Sequence, residues 1–470
     1  MIRIFNQYVS PKSLLLIFIE GALIALAIVC GVRLRYWNNP SEMEVLFQFP
    51  GIVVIQALVI IITIQLCFYY GDLYNLNALR GRSEQIICLG QSLGSACLVL
   101  GALYFVFPGL LIGHGTFLIS VCLVATFVTI NRVVLDRAWQ LAAPKQNLLI
   151  LGTREMALNV ARELKARDDL NINLVGFIEA KSGDSGAGAS IFGYPVIGAA
   201  DDLERLAAEY RVGRIVVAME DRRGRLPVRE LVRLRVQGVR VEDAHSTMSS
   251  LSGRIWLESI HPSWFVFSDG FHRSRLILAI KRALDLSFGI LGLLLCLPVM
   301  VLVAIAVKLD SRGPVIFRQV RVGLGGRTFD VLKFRSMRVD AEQANGAQWA
   351  TKDDPRVTRV GKYLRKFRLD ELPQFINVIR GEMSFVGPRP ERPVFVEQLR
   401  KEISYYDERH SVRPGVTGWA QVQYPYGATV EDAYRKLEFD LFYLKNMSVF
   451  FDCVIVLKTI RTVFTGQGGR

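Results

Sequence analysis

Four apolar segments in the first third of the chain limit its fold more than any other feature. Each contains at least 20 mostly apolar residues, which is enough to span the hydrocarbon core of a bilayer as a helix. Hydrophobic residues make up 51% of the chain, a high share for a soluble protein. We therefore predict a four-span transmembrane bundle over residues 1–145, with spans at 13–32, 51–70, 86–107 and 109–130.

Basic residues flank these segments unevenly. Arg3 and Lys12 precede the first, Arg80 and Arg82 lie between the second and third, and three more follow the fourth. Because Lys and Arg favour the cytoplasmic side, both ends of the bundle are expected in the cytoplasm. The basic pair after the first segment, at 33 and 35, argues more weakly for the opposite orientation.

Glu20 lies inside the first apolar segment, where an ionisable group is costly. We favour a carboxylate that faces the bundle interior or the interface, with a functional role as the alternative. The seven cysteines lie in apolar stretches without paired spacing, and the five histidines have no metal-ligand spacing. These patterns argue against a disulfide scaffold and against a zinc site.

Strands and helices alternate from residue 146 to residue 270. This alternation favours a parallel sheet covered by helices, a Rossmann-like domain. Only Gly152 of the dinucleotide-binding G-x-G-x-x-G pattern is present, and Glu179 is a lone acid at the end of a strand. A regulatory or assembly role is therefore favoured over nucleotide binding. Strands are predicted at 147–152, 172–178, 214–219 and 239–244, and helices at 154–169, 201–210 and 227–238.

A fifth apolar run covers residues 286–307 and would be about 33 Å long as a helix. Pro298 lies near its middle, where it removes a helical hydrogen bond, and basic residues flank both ends. A full span would also carry a strongly basic region out of the cytoplasm, against the positive-inside tendency. We predict a re-entrant membrane helix over 282–308, with an ordinary kinked span as the alternative.

Residues 281–470 carry +10 of the net charge of +14, which suits nucleic acid, anionic lipid or a phosphorylated small molecule. Within this region, residues 353–367 are predicted to form a basic amphipathic helix that starts at the Asp before Pro355 and lies on an anionic membrane surface. The alternative is a helix that packs on the core with its charged face in solvent. The predicted apolar stripe consists of Val357, Val360, Tyr363, Leu364 and Phe367.

Two adjacent carboxylates, Asp370 and Glu371, follow this basic helix. Neighbouring anions raise each other's pKa, so their pairing needs a reason. In the simplest interpretation Asp370 is a helix N-cap, Glu371 lies in the first turn, and Pro373 follows where a missing N–H costs little.

Four motifs occur in order in this region: "KFRSM" (333–337), "DELPQ" (370–374), "GPRP" (387–390) and "RPGVTGWAQV" (413–422). Through them residues 276–470 resemble the bacterial sugar transferases that initiate glycan assembly on polyprenyl phosphate, the monotopic phosphoglycosyl transferases. The whole chain resembles their larger members, of the exopolysaccharide branch. The predicted fold is a membrane α-helical bundle, an α/β Rossmann-like domain, and a mostly α-helical membrane-associated catalytic domain over 276–470.

The resemblance implies transfer of a sugar 1-phosphate from a UDP-sugar to undecaprenyl phosphate, with release of UMP, at the start of exopolysaccharide or related glycan synthesis. It implies that Asp370 is a nucleophile that forms an aspartyl phosphosugar, and that Glu371 binds Mg²⁺. Position 368 is usually a small hydroxyl residue in the family but is Arg here. The implied substrate-binding residues are Lys333, Arg335 and Arg368 for the diphosphate, Arg389 with Pro388 and Pro390 for the nucleotide, and Asp440 at a family acidic position.

The expected partners are the UDP-sugar, undecaprenyl phosphate and membrane lipid, without nucleic acid, and a homodimer is left open. The expected location is the bacterial inner membrane, as a multi-pass protein with its catalytic domain on the cytoplasmic face. A membrane-anchored Rossmann-domain sensor or sugar-nucleotide oxidoreductase is the alternative, but it needs a glycine-rich phosphate loop that the sequence lacks. A membrane-tethered nucleic-acid binder would suit the charge but has no recognisable motif.

Overall fold

The described residues of the computed structural model form two compact units, Met1–Thr247 and Met248–Arg470. The structure describes the chain apart from residues 1, 5–6, 10, 38–49, 72, 75–81, 111, 143–144, 168–170, 180–189, 220–225, 260–269, 272–273, 340–354, 425–426, 428 and 466–470.

The first unit begins with a short antiparallel pair, β1 (Ile2–Ile4) and β2 (Gln7–Val9), followed by four long apolar helices. These helices correspond to the four predicted spans, and each is long and apolar enough to cross a membrane. The last one begins at His114, after the predicted start at residue 109, and extends beyond the predicted end at residue 130. The chain is therefore a membrane protein whose apolar helices are α1 (Pro11–Arg35), α2 (Pro50–Tyr70), α3 (Arg82–Val106) and α4 (His114–Ala142).

Glu20 faces the interior of this bundle, as favoured from the sequence. Its carboxylate accepts hydrogen bonds from Arg132 Nε at 2.8 Å and Nη2 at 3.2 Å, so the pair joins α1 to α4. Arg132 Nη1 also donates to the carbonyl of Leu73 at 2.9 Å. A charge that is out of water and paired in this way is costly to separate. The pair thus gives Glu20 a structural role.

A six-stranded sheet follows, whose strands are β3 (Gln146–Leu151), β4 (Ile172–Glu179), β5 (Ser190–Ile191), β6 (Tyr194–Ala199), β7 (Arg214–Val217) and β8 (Arg240–Asp243). Their order in the sheet is β5-β6-β4-β3-β7-β8. All neighbours are parallel except β5 and β6, so the predicted Rossmann-like domain is confirmed. Its helices are α5 (Glu155–Lys165), α6 (Leu203–Glu209) and α7 (Val228–Val236). A further helix, α8 (Ala244–Ser252), follows β8 and includes the boundary between the two units.

Gly152, at the end of β3, has a packing role. Its φ is +124°, and a Cβ there would lie 2.7 Å from the carbonyl oxygen of Ala218. The close approach of the chain just after β7 therefore explains why this position is glycine, and phosphate binding is not needed as an explanation. Glu179, at the end of β4, is buried rather than solvated.

The second unit contains the fifth apolar segment as one helix, α9 (Arg275–Asp310), of 36 residues. Ser274 caps its start by accepting a hydrogen bond from the backbone N–H of Leu276. Pro298 lies inside the helix and does not end it. The helix also extends beyond the predicted bounds 282–308 at both ends. Its length and composition would allow it to cross a membrane. The re-entrant path stays a prediction.

In the described part of this unit, four strands and six helices follow α9. They are β9 (Ile316–Val322), β10 (Thr328–Phe334), α10 (Arg359–Lys366), α11 (Gln374–Arg380), β11 (Ser384–Val386), α12 (Pro393–Glu402), β12 (Gly415–Thr417), α13 (Trp419–Gln423), α14 (Val430–Lys445) and α15 (Val449–Thr465). Strands β9 and β10 form an antiparallel hairpin in continuous register, whereas β11 and β12 are parallel.

The basic helix α10 starts later than predicted. Thr358 is its N-cap and accepts a hydrogen bond from the N–H of Gly361, while Val357 forms a β-bridge with Met337. The Asp before Pro355 lies outside the described residues, but residues 355–358 are not helical, so the predicted helix start was wrong. The bridge to Met337 holds Val357 in an extended conformation.

The apolar stripe predicted for this helix is divided between two faces. Leu364 is buried and Val360 packs against the same core cluster. Tyr363 and Phe367 are instead 66% and 52% exposed. The helix therefore packs on the core with one face and presents two aromatic side chains on another.

Residues 253–257 are part of the second unit and contact its buried polar groups. Trp419 Nε1 donates to the carbonyl of Gly253 at 2.8 Å. The fully buried Glu438 accepts from Arg254 at 3.1 Å and from the N–H of Leu257 at 3.2 Å. This segment lies before the predicted catalytic domain in sequence, yet it supplies the partners of two of that domain's most buried polar groups.

We predict that Arg254→Ala lowers the free energy of unfolding of this unit by about 1–3 kcal/mol, because Glu438 would stay buried with fewer partners. The matched control is Lys401→Ala, which removes an exposed pair with Glu397 and should cost less than about 0.5 kcal/mol. Thermal unfolding of the detergent-solubilised protein measures both. Equal melting temperatures for the two variants would contradict the structural role of this segment.

Candidate active site

Asp370 and Glu371 lie in a tight turn between α10 and α11. Residues Leu369–Glu371 form a single 3₁₀ turn, and Arg368 before it adopts a left-handed conformation with φ 54°. Such backbone strain in a non-glycine residue is often found at functional sites. The N-cap position of α11 is occupied by Pro373, so the interpretation of Asp370 as a helix cap was wrong.

Three cations surround the carboxylate of Glu371. Arg389 Nη2 donates to Oε1 at 2.6 Å, and Lys333 Nζ lies 3.5 Å from the same oxygen. Arg368 Nη1 lies 3.7 Å from Oε2. These cations come from the loop after β11, from β10 and from the turn itself. The structure therefore brings together five of the residues that the sequence had assigned to the site.

The two carboxyl groups have different electrostatic environments. Burial, together with the neighbouring Glu371, raises the pKa of Asp370 above its ordinary value, although Lys333 and Arg389 oppose this. Burial also acts to raise the pKa of Glu371, but Arg389, Lys333 and Arg368 together hold that pKa well below its ordinary value. Adjacent acids whose pKa values move apart are suited to different roles in one reaction. Asp370 is the more basic of the two.

Asn377 fixes the turn relative to the strand that carries Lys333. Its side chain is fully buried, donates to the carbonyl of Asp330 at 2.7 Å and accepts from the N–H of Leu332 at 3.0 Å. The side-chain amide of Asn377 therefore links α11 to the backbone of Asp330 and Leu332 on β10. The position of Lys333 relative to Glu371 follows from that link.

Three glycines explain why two of the motifs occur together. A Cβ on Gly415 would lie 2.1 Å from the backbone nitrogen of Gly387, and one on Gly418 would lie 2.2 Å from the Gly387 carbonyl oxygen. "GPRP" and "RPGVTGWAQV" therefore pack backbone against backbone. The N–H of Gly387 donates to the carbonyl of Thr417, and the N–H of Gly415 donates to that of Pro388. This packing fixes the loop between Pro388 and Pro390 that carries Arg389.

Arg335 and Asp440 each have a partner outside the carboxylate pair. Arg335 is buried and donates to the carbonyl and the hydroxyl of Ser311, just after the end of α9. Asp440 is only 1% exposed and forms an ion pair with Arg409 at 2.8 Å. The structure therefore gives no support to direct substrate contact by either residue, because each is already paired below the surface.

Arg409 and Arg321 are the residues that sequence reasoning missed. Arg409 Nη2 donates to the carbonyl of Arg389 at 2.9 Å, and Arg321 Nη1 donates to that of Pro390 at 3.0 Å. Neither lies inside one of the four motifs. Their position in sequence, one on β9 and one shortly before "RPGVTGWAQV", gave no signal of contact with this loop.

The donor set fits a magnesium ion held jointly with a substrate. Among the residues that the structure describes, no group of three or more His, Cys, Asp or Glu side chains is arranged around a metal position. Mg²⁺, however, is often bound by one or two carboxylates plus phosphate oxygens and water. The buried Asp370–Glu371 pair meets that requirement.

Two family models match the chain: a bacterial sugar transferase model over residues 276–466 and a CoA-binding domain model over residues 70–242. The UDP-glucose:undecaprenyl-phosphate glucose-1-phosphate transferase of Xanthomonas campestris pv. campestris is 30% identical over 410 residues, which are 85% of this chain and 84% of that protein. The candidate site lies wholly within the region matched by the first model.

Two further relatives are similar over shorter stretches. The UDP-N-acetylgalactosamine-undecaprenyl-phosphate N-acetylgalactosaminephosphotransferase of Aeromonas hydrophila is 45% identical over 52% of this chain and 56% of its own length. The undecaprenyl-phosphate glucose phosphotransferase of Komagataeibacter xylinus is 34% identical over 67% of this chain and 58% of its own length. The alignments thus span little more than half of these two relatives.

We predict that Gly415→Ala displaces the loop that carries Arg389 and costs about 1–3 kcal/mol of stability, because the new methyl group would overlap the backbone of Gly387. Gly94→Ala is the control, since a Cβ at Gly94 meets nothing within 4 Å. Thermal unfolding and limited proteolysis of the loop measure the effect. A Gly415→Ala protein as stable and as protease-resistant as Gly94→Ala would contradict the packing described here.

Proposed function

The chain belongs to the bacterial sugar transferase family, and we propose that it transfers a sugar 1-phosphate from a UDP-sugar to undecaprenyl phosphate. The products are undecaprenyl-diphosphate-sugar and UMP. We assign this reaction to the initiating step of exopolysaccharide or related glycan synthesis, as the resemblance in motifs implies. The sugar is either a hexose or an N-acetylated hexosamine, the two kinds named among the relatives.

The buried carboxylate pair among cations is the observation that carries this proposal. Phosphoryl transfer depends mainly on positioning and on neutralising the charge of the phosphates. Lys333, Arg368 and Arg389 converge on Glu371 and present positive charge beside Asp370. A diphosphate entering the site would find these cations already oriented.

Asp370 is the proposed nucleophile. A carboxylate oxygen of Asp370 bonds to the phosphorus attached to the sugar, the bond from this phosphorus to the bridging oxygen breaks, and UMP leaves with the electron pair. An oxygen of undecaprenyl phosphate then attacks the same phosphorus, and the Asp370 carboxylate is released. The raised pKa of Asp370 suits this role because a more basic oxygen is a better nucleophile once ionised.

Glu371 is the proposed magnesium ligand. When bound, magnesium supplies neutralisation of the charge on the diphosphate. The low pKa of Glu371 keeps its carboxylate ionised, as a magnesium ligand must be. Arg389 and Lys333, which contact Glu371, are close enough to share the phosphate oxygens.

We also propose that the protein lies in the bacterial inner membrane with its catalytic unit on the cytoplasmic face. Both ends of α9 contact the polar body of this unit. Arg282 donates to the carbonyls of Val378 and Ile379, while Asp310 accepts from the N–H of Val360. A polar body cannot contact both ends of a helix that crosses the bilayer. These contacts support a re-entrant path, with the exposed leucines between them in lipid.

The basic helix α10 supports the same placement. Tyr363 and Phe367 project from it beside the charged residues of its surface, a combination typical of a helix that rests in the interface. The apolar part of α9 and these two aromatic side chains would bring the site to the level of the lipid phosphate.

The first prediction concerns the covalent step. Wild-type protein incubated with UDP-sugar and Mg²⁺ but without lipid should gain the mass of one sugar phosphate, and Asp370→Asn should not. Intact-protein mass spectrometry makes the measurement, with Asp407→Asn, at an exposed ion pair, as the control. An adduct that persists in Asp370→Asn would show that another residue is the nucleophile.

The second prediction concerns pH. In protein without Mg²⁺ the Asp370 carboxyl should titrate above the ordinary aspartate pKa of about 3.9, because burial and Glu371 raise its pKa. Glu371→Gln removes an anion that raises the Asp370 pKa and should move this titration to lower pH. Lys333→Met removes a cation that lowers the Asp370 pKa and should move the titration to higher pH. Shifts in the same direction, measured by carbon-13 NMR of labelled aspartate, would contradict the electrostatic environment described for this pair.

The third prediction concerns topology. In a chain without its native cysteines, Leu276→Cys lies at the start of α9 and Val320→Cys lies beyond its end, and both positions are exposed. Both should react with a membrane-impermeant thiol reagent only after the cells are opened. Reaction at position 320 in intact cells would mean that α9 crosses the membrane.

A further inference from the structure

The backbone of the loop around Arg389 is held by donors from several elements. The carbonyl of Pro388 accepts from the N–H of Gly415, that of Pro390 accepts from Arg321, and that of Glu391 accepts from the N–H of Val322. The remaining carbonyl, that of Arg389, accepts from Arg409 Nη2 at 2.9 Å. Four consecutive carbonyls thus have four different donors.

The Arg389 carbonyl is a special position in this loop. The next residue is proline, so the peptide bond between Arg389 and Pro390 has no N–H. Its carbonyl oxygen is the only strong hydrogen-bonding group through which the protein can fix the plane of that peptide. A proline on each side further restricts the backbone. The Arg409 guanidinium therefore controls the orientation of the residue whose side chain contacts Glu371.

Two buried side chains in turn contact the guanidinium of Arg409. Its Nη1 donates to the hydroxyl of Tyr406 at 2.7 Å, and its Nη2 lies 2.8 Å from Asp440 Oδ2. All three side chains are nearly fully buried. A planar guanidinium can meet three partners in fixed directions, whereas a lysine ammonium is a single point of charge on a flexible chain.

We propose that Arg409 is a positioning residue that, supported by Asp440 and Tyr406, holds Arg389 in place against Glu371. Asp440 then acts as the buried counter-ion of Arg409 and does not touch the substrate. The chain of contacts runs from Asp440 to Arg409, to the carbonyl of Arg389, and through the Arg389 side chain to Glu371. Its kinetic consequences rest on the proposed transfer reaction, whereas its geometry does not.

Arg409→Lys is the central test, because it keeps the charge opposite Asp440 but cannot reproduce the three directed contacts. The matched control is Arg254→Lys, the same change in a buried ion pair with Glu438, which lies on the same helix as Asp440 but has no contact with the loop. Melting temperatures of the two variants report any general loss of stability. Tyr406→Phe, which removes one oxygen from Arg409, is a milder variant expected to act in the same direction.

The first readout does not depend on turnover. Arg389 is 30% exposed in its side chain and pinned to Glu371, so an arginine-specific dicarbonyl reagent should modify it slowly. Peptide mass spectrometry, with the more exposed Arg400 as internal reference, should show Arg389 reacting about tenfold faster in Arg409→Lys and at the wild-type rate in Arg254→Lys. An unchanged Arg389 rate in both Arg409→Lys and Tyr406→Phe would overturn the proposal.

The second readout is a double-mutant cycle on UMP release. Arg409→Lys should raise KM for the UDP-sugar about tenfold in the wild-type background, but less than about twofold when Arg389 is already alanine. A full tenfold effect in the Arg389→Ala background would show that Arg409 acts independently of Arg389, against the proposal. If wild-type protein releases no UMP from any UDP-sugar, the proposed function fails, and the dicarbonyl reaction still decides the positioning role.

Discussion

Two adjacent carboxylates buried in one turn impose the strongest constraint on the catalytic unit. Removing a charge from water is expensive unless cations and hydrogen bonds compensate it. Glu371 meets this requirement through Lys333 on β10, Arg368 in the turn and Arg389 after β11. The hairpin, the turn and the proline-flanked loop must therefore come together, which gives a physical reason for the fixed set of motifs along the chain.

Helix α9 is connected to the candidate site by hydrogen bonds and an ion pair. Lys281, near the start of α9, donates to the carbonyl of Val386 and pairs with Asp452. Asp285, one turn further, accepts from the hydroxyl of Ser384 and the N–H of Phe385. These contacts fix β11, and the loop with Arg389 begins directly after it. Helix α9 thus holds the strand from which the loop with Arg389 begins.

Features that depend on local sequence could be predicted. Hydropathy predicted the four long helices, and the alternation of strand and helix patterns predicted the Rossmann-like sheet. The set of motifs identified five residues that the structure brings together. Features that depend on distant contacts could not. The bridge between Val357 and Met337 delays the start of α10, and the core takes Leu364 but leaves Tyr363 exposed. Arg335 and Asp440 have the right chemistry for phosphate or metal but are used as buried partners of Ser311 and Arg409.

The central claim is that Asp370 and the cations around Glu371 transfer the sugar phosphate in two separate displacements. The most direct measurement is isotope exchange without lipid: purified protein, UDP-sugar and Mg²⁺ are incubated with labelled UMP. A covalent intermediate regenerates UDP-sugar from UMP, so we predict that label enters the UDP-sugar pool when undecaprenyl phosphate is absent. Label that enters only when the lipid is present would contradict it and would indicate direct transfer in a ternary complex.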